Sequence, residues 1–312
     1  MINQLSSKNI LVIGDIMLDQ FLICDFVEQS KEYTDTPIFH ILQQLQFAGG
    51  AANVVNNLVG LNCNVSLIAA LGNDNHATQL LQQLLDCNTQ SLIQDDGITT
   101  TTKTRIFNQE QAVCRVDDEQ KLLKENIVHS VNNNIVEYIS NNEIDAIILQ
   151  DYNKGVLQEI TINCVLELAQ ERNIPVFVDP KLNNWNCYKK VTLFKPNQKE
   201  FEYFIGEKVI YDLDFLNEKA KQLQQELQFE YLLLTLGSYG NYILHNGEGI
   251  ITPQNNQIAN ADVCSAGDAV LAITTLAILN QFSLQEIANL ANKIGAIVCK
   301  HQYTYAIGIE DL

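Results

Sequence analysis

Six short apolar runs, at residues 10–13, 65–69, 146–149, 176–178, 191–194 and 231–235, recur along the chain, and helical patterns such as 51–59 and 160–169 lie between most of them. Apolar strands separated by helices fit one arrangement well, a mostly parallel sheet covered by helices on both faces. Ligands of such sheets sit at the carboxyl ends of the strands, so chemistry is expected on that rim. Two stretches, at about 20–47 and 98–117, break the alternation: they are β-rich and helix-poor, and the second opens on a threonine run with strong β propensity. They predict four inserted strands forming a small second sheet over the mouth of a single domain spanning 1–312, as a lid or a dimerisation surface. Two ordinary edge hairpins are the alternative.

With 19 basic and 37 acidic side chains the net charge is −18, which argues against a surface that tracks nucleic-acid phosphates or an anionic membrane. No run approaches the roughly 18 apolar residues of a membrane span. The apolar residues 10–13 are cut short by Gly14 and Asp15, unlike a secretory leader, so a cytoplasmic protein is expected. Eight cysteines are scattered with no C-x-x-C pair and read as reduced structural thiols rather than metal ligands or disulfides.

Near the C-terminus, Asp262 leads through Ser265, Ala266 and Gly267 to Asp268 and a long apolar run. Small residues before a helix leave N–H groups pointing outward, which suits a phosphate or a developing anion. Asp268, in the first turn, is then placed to act as general base toward a substrate hydroxyl. The plainer reading is an acidic residue favoured by the helix dipole. Earlier, Gly49 and Gly50 open a helix that carries Asn53, giving close backbone approach and an amide for hydroxyls. Asp15 and Asp19 follow the first strand, as hydroxyl binders or turn caps. Further polar groups close four more strands: Asp151 and Lys154, then Asp179 and Lys181, then Asn197 and Glu200, then Thr235, Gly237 and Gly240. Neither a P-loop nor a dinucleotide G-x-G-x-x-G is present.

The early Gly49, Gly50, Asn53 cluster and the late Asp262, Ala266, Gly267, Asp268 cluster together resemble the two signatures of the ribokinase/PfkB family of carbohydrate kinases. The resemblance runs over essentially the whole chain and is strongest to the members that phosphorylate the anomeric hydroxyl of D-glycero-D-manno-heptose 7-phosphate. It implies a ribokinase-like three-layer α/β/α domain with a β-sheet lid, and ATP and Mg²⁺ as cofactors. By the same resemblance Asp268 matches the catalytic base, and the N–H groups of Ser265, Ala266 and Gly267 match the anion hole. Asp19, Gly49, Gly50 and Asn53 match sugar contacts, and Asp15 and Asp151 on the same rim are further candidates for the sugar. Asn197 and Glu200 match the element that arranges Mg²⁺ through water; Thr235, Gly237 and Gly240 match the nucleotide loop, with Asn292 near the adenine. Lys31, Lys103, Arg105, Lys154 and Lys181 are candidates for the phosphate of a phosphorylated sugar.

Three departures stand out. Ser265 replaces the first glycine of the anion loop, and costs roughly 1–2 kcal/mol if φ must be positive. The middle of the lid segment 30–37 is altered, which would permit another sugar. The stretch 299–304 lacks the usual glycine. The alternatives are therefore a kinase for another sugar or sugar phosphate, or a catalytically weakened binding protein of the same fold. With the chain ending at Leu312, no fused nucleotidylyltransferase domain is expected.

Overall fold

The computed structural model describes residues 7–120, 122–254 and 265–312; Asp262 to Cys264 of the late motif lie outside them. In chain order the first half holds β1 (Asn9–Gly14), β2 (Ile16–Gln29), β3 (Pro37–Gly50), α1 (Ala51–Gly60), β4 (Asn64–Ile68), β5 (Ala70–Gly72), α2 (Asn75–Leu81), β6 (Ile93–Asp95), β7 (Thr102–Asn108) and β8 (Gln111–Asp118). There follow α3 (Glu125–Asn141), β9 (Ala146–Gln150), α4 (Glu159–Arg172), β10 (Val176–Asp179), β11 (Leu193–Phe194), α5 (Gln198–Ile205) and α6 (Leu213–Leu227). The last elements are β12 (Tyr231–Thr235), β13 (Asn241–His245), β14 (Glu248–Thr252), α7 (Ala266–Leu279) and α8 (Leu284–Val298).

Eight strands form the main sheet in the order β14-β13-β12-β11-β10-β9-β1-β4. The hairpins β12–β13 and β13–β14 are antiparallel and the other neighbours parallel. Alternation along each strand sends side chains to two separate cores. Ile10 and Val12 of β1 pack with α1, α7 and α8, whereas Leu11 and Ile13 pack with α3, α4 and α6. The result is three layers. Helix α7 is buried without a break from Asp268 to Ala277, which explains why its sequence is apolar all round rather than striped.

A second sheet has the order β3-β2-β7-β8. Its strand β2 begins at Ile16, two residues after β1 ends, so Asp19 stands inside this sheet and not in a loop of the main one. Strand β3 ends on Gly50, where the chain turns directly into α1. Phe21, Phe47 and Phe107 from three of these strands close around Tyr303, which joins the second sheet to the C-terminal stretch. Cys24, Cys63, Cys87, Cys114, Cys164 and Cys187 are free thiols. Among the described residues no helix is long and apolar enough to cross a membrane.

Candidate active site

Asp268 occupies the first turn of α7 and is 3% exposed. Its Oδ2 accepts from Asn53 Nδ2 at 2.8 Å, and its Oδ1 accepts from Tyr152 Oη at 3.0 Å and Gln150 Nε2 at 3.1 Å. Burial raises its pKa to about 6; Asp179 adds to the rise, while the bonds from Asn53 and Tyr152 and the charge of Lys195 restrain it. A carboxylate ionised at neutral pH, yet more basic than usual, suits general-base work. Gln150 Oε1 is buried beside it with no hydrogen-bond partner among the described residues.

Just before Asp268, Ser265 adopts φ 61°, so the condition for strain at this position is met: a serine stands in the left-handed region where glycine is at ease. Its hydroxyl is used locally, donating to Tyr305 O at 3.3 Å and accepting from Tyr305 N at 3.2 Å. The N–H groups of Ala266 and Gly267 meet no acceptor among the described residues. Gly267 faces the ion pair of Lys195 with Asp179, 2.7 Å apart, a Cβ there coming within 3.7 Å of Lys195 Nζ. Open N–H groups at a helix N-terminus beside a buried lysine make a place for phosphate.

Across from α7, the second sheet brings Asp19 and Arg105 together at 2.6 Å. A Cβ on Gly49 would strike the Asp19 carboxylate, and Gly50, at φ 62°, lies so close to the Asp15 carbonyl that only glycine fits. Lys103 Nζ stands 4.8 Å and Lys181 Nζ 5.3 Å from the centre of the Tyr152 ring. Burial pulls the Lys103 ammonium below its usual range against the attraction of Asp19. Burial also opposes the charged form of Lys181, but Asp179 and Glu200 outweigh it and hold its pKa up.

Five residues expected at the ligand are placed otherwise. The Asp15 carboxylate accepts the N–H groups of Tyr152, Lys154 and Val156 at 2.9, 2.9 and 3.0 Å, and burial beside Asp151 raises it to about 6. It fastens the loop after β9 instead of offering itself to a hydroxyl. Asp151 is likewise consumed, by Asn153 N, Asn184 Nδ2 and Tyr188 Oη. Lys154 pairs with Glu119 at 2.5 Å. Lys31 lies exposed on the turn between β2 and β3, and among the described residues no contact joins it to the site. Asn292 binds Asn241, Thr252 O and Pro253 O, tying α8 to the last hairpin.

On the remaining rim, Asn197 and Glu200 cap α5 reciprocally, and Lys181 Nζ bonds Glu200 Oε1 at 2.6 Å. Thr235 pairs with Asn197, and Gly237 and Gly240 both have positive φ, the latter pressed against Thr252 O. Among the described residues no three acidic, His or Cys groups cluster as a cage for a metal. The donor set fits Mg²⁺ reached through water and phosphate oxygens, the usual habit of that ion. Sequence reasoning placed Asp179 on the rim but gave no role to it or to Gln150, Tyr152 and Lys195. Gln150 closes β9 and Tyr152 follows just beyond it, and both reach Asp268 while Asp151 between them turns to Asn184 and Tyr188.

A three-layer α/β fold with a buried carboxylate at a helix N-terminus and a diglycine turn opposite suits phosphoryl transfer to a small alcohol. The model of the pfkB family carbohydrate kinase matches residues 7–311, and the chain belongs to that family. It is 32% identical over 314 residues to a bifunctional protein HldE of Hydrogenovibrio crunogenus, covering 98% of this chain and 62% of that protein. With the protein of the same name from Syntrophotalea carbinolica it shares 32% identity over 324 residues, 100% of this chain and 63% of that one. The chain thus spans less than two thirds of these relatives. Among solved structures, phosphofructokinase-2 from Escherichia coli in complex with fructose-6-phosphate matches with a TM-score of 0.78 at 15% identity, over 98% of this chain and 97% of the other. Ribokinase of Arabidopsis thaliana complexed with ribose and ATP gives 0.70 at 14%, over 98% and 96%. These two likenesses establish the ribokinase-like fold, and the family makes the protein a carbohydrate kinase.

Proposed function

We propose that this kinase transfers the γ-phosphate of ATP to the anomeric hydroxyl of D-glycero-D-manno-heptose 7-phosphate. The observation that carries the reading is the position of Asp268, buried at the head of α7 and bonded to Asn53 from the helix that the diglycine turn opens. The acceptor hydroxyl gives its proton to Asp268 while its oxygen attacks the γ-phosphorus in line, and ADP leaves. Ala266 and Gly267 N–H groups and Lys195 face the charge spread over the transferring group, and phosphoryl transfer depends chiefly on such positioning. Mg²⁺, when bound through water near Asn197 and Glu200, supplies neutralising charge to the ATP phosphates. Thr235, Gly237 and Gly240 form the nucleotide loop.

A phosphorylated acceptor is favoured because Lys103, Arg105 and Lys181 gather around the sugar side of a chain whose net charge is −18. The heptose follows from the strings shared with heptose 7-phosphate kinases and from relatives named HldE at 32% identity. The altered lid segment does not oppose it. Residues 30–36 form an exposed self-contained turn, in which Ser30 N bonds Thr36 O and Ser30 Oγ accepts from Glu32 and Tyr33. We assign the enzyme to the cytoplasm, and its lid to a homodimer contact, since the edge strand β3 exposes Ile38, Ile41 and Leu42. The test is ADP release from ATP and Mg²⁺ with heptose 7-phosphate, hexose phosphates or no sugar. Stimulation by heptose 7-phosphate above the others is expected; stimulation by hexose phosphates alone overturns the substrate and leaves the kinase.

A further inference from the structure

Tyr152 fills the space between the diglycine turn and Asp268. Its ring lies against Gly50, where a Cβ would come within 3.4 Å of it, and the ammonium groups of Lys103 and Lys181 stand over it at 4.8 and 5.3 Å from its centre. Its hydroxyl donates to Asp268 Oδ1 at 3.0 Å. The same oxygen takes Gln150 Nε2, and Oδ2 takes Asn53 Nδ2. A carboxylate oxygen accepts about two such bonds, so Oδ1 is filled while the tyrosine is in place. The main chain beneath is pinned, because the N–H groups of Tyr152, Lys154 and Val156 all bond Asp15. Only the side chain is left to turn.

We propose that Tyr152 is a displaceable stand-in for the acceptor alcohol: its hydroxyl occupies the base until a sugar hydroxyl takes its place and the ring swings aside. The inference rests on Asp268 being the base. The exchange is one hydroxyl for another on the same carboxylate oxygen, so it needs no change in charge at the base. A phosphate on the incoming sugar competes for the Lys103 ammonium over the ring, Lys181 being held by Glu200, so phosphorylated acceptors release it more readily than neutral ones. The device also guards ATP. Hydrolysis would need a water to bond the γ-phosphorus, pass its proton to Asp268 and release ADP, and with Oδ1 filled only the second site of Oδ2, beside the Asn53 amide, is left to take that proton.

The decisive variant is Tyr152→Phe, which keeps the ring and both cation contacts but removes the hydroxyl. ATP hydrolysis without sugar is expected to rise about tenfold or more, the weight of one charge-assisted hydrogen bond. The KM for heptose 7-phosphate is expected to fall while kcat stays within about twofold, and adding Asp268→Asn is expected to erase the gain in hydrolysis. Tyr152→Ala, which also removes the ring, gives the same reading should the first variant fold poorly. Unchanged hydrolysis, or a raised KM, overturns the stand-in and makes Tyr152 a permanent sugar contact. Hydrolysis that rises in Tyr152→Phe and persists after Asp268→Asn overturns the assignment of the base instead, so the two failures are separable.

Discussion

Replacing the buried carboxylate at the head of α7 should make the protein more stable while it disables it. Asp268 has its pKa raised from 3.8 to about 6, with burial the leading cause. A folded-state pKa above the unfolded one means that the folded protein holds the proton more tightly. The resulting penalty is absent below 3.8, grows between 3.8 and about 6, and is complete above that. A gap of that size amounts to about 3 kcal/mol at pH 8 and about 1 kcal/mol at pH 4.5. Asp268→Asn removes the titration and keeps the shape. Its carbonyl can accept from Asn53, and its new amide can be met by Gln150, whose own carbonyl is buried and unmatched. Asp15, also raised to about 6 by burial, titrates in both proteins and cancels in the comparison. Urea unfolding of the two proteins at pH 4.5 and 8 should show the variant gaining about 2 kcal/mol relative to wild type between those pH values. The same difference at both, or a variant that loses ground as pH rises, would show that burial of this carboxylate carries no such penalty.

Arg105→Met should raise the KM for a phosphorylated sugar about tenfold or more with less effect on kcat, because it takes away the proposed phosphate partner and the guanidinium paired with buried Asp19; steady-state kinetics read both. In Gly49→Ala the added methyl meets the Asp19 carboxylate and Met17, so we expect a loss of about 1–3 kcal/mol in urea unfolding, as for overpacked cores, with weakened sugar binding. Ile41→Lys on the exposed face of β3 should convert a homodimer to monomers in sedimentation velocity without changing the fold; a wild-type monomer at all concentrations would rule out the lid contact.

The layered sheet was legible because apolar strand runs and helical periods declare themselves locally. All six runs lie in strands of the main sheet, although the one at 191–194 is reduced to Leu193–Phe194. Asp268 and Gly267 could be singled out because a small-residue loop ahead of an apolar helix is a local pattern. What could not be read was which carboxylates were already spoken for. Asp15 and Asp19 are chemically alike and four residues apart, yet one is filled by three backbone N–H groups from a loop more than a hundred residues away and the other faces Arg105. The partners of Asp15 are set by the register of β1 against β9 and that of Asp19 by the register of β2 against β7, which no local pattern encodes. A positive charge near an expected mouth likewise says nothing of Glu119 waiting beside Lys154, or of Lys31 lying out on an exposed turn. Tyr152 was hidden by its chemistry, since a tyrosine after a strand reads as packing until its hydroxyl is seen on Asp268.

Catalysis, as proposed, stands on Asp268 taking the acceptor's proton. The most direct measurement is sugar-dependent ADP release from ATP and Mg²⁺ by wild type and by Asp268→Asn, with heptose 7-phosphate as acceptor and ATP binding checked in both. We predict a fall of about 10²–10⁴-fold in the variant with nucleotide binding retained. Sugar-dependent release that continues at the wild-type rate contradicts the mechanism.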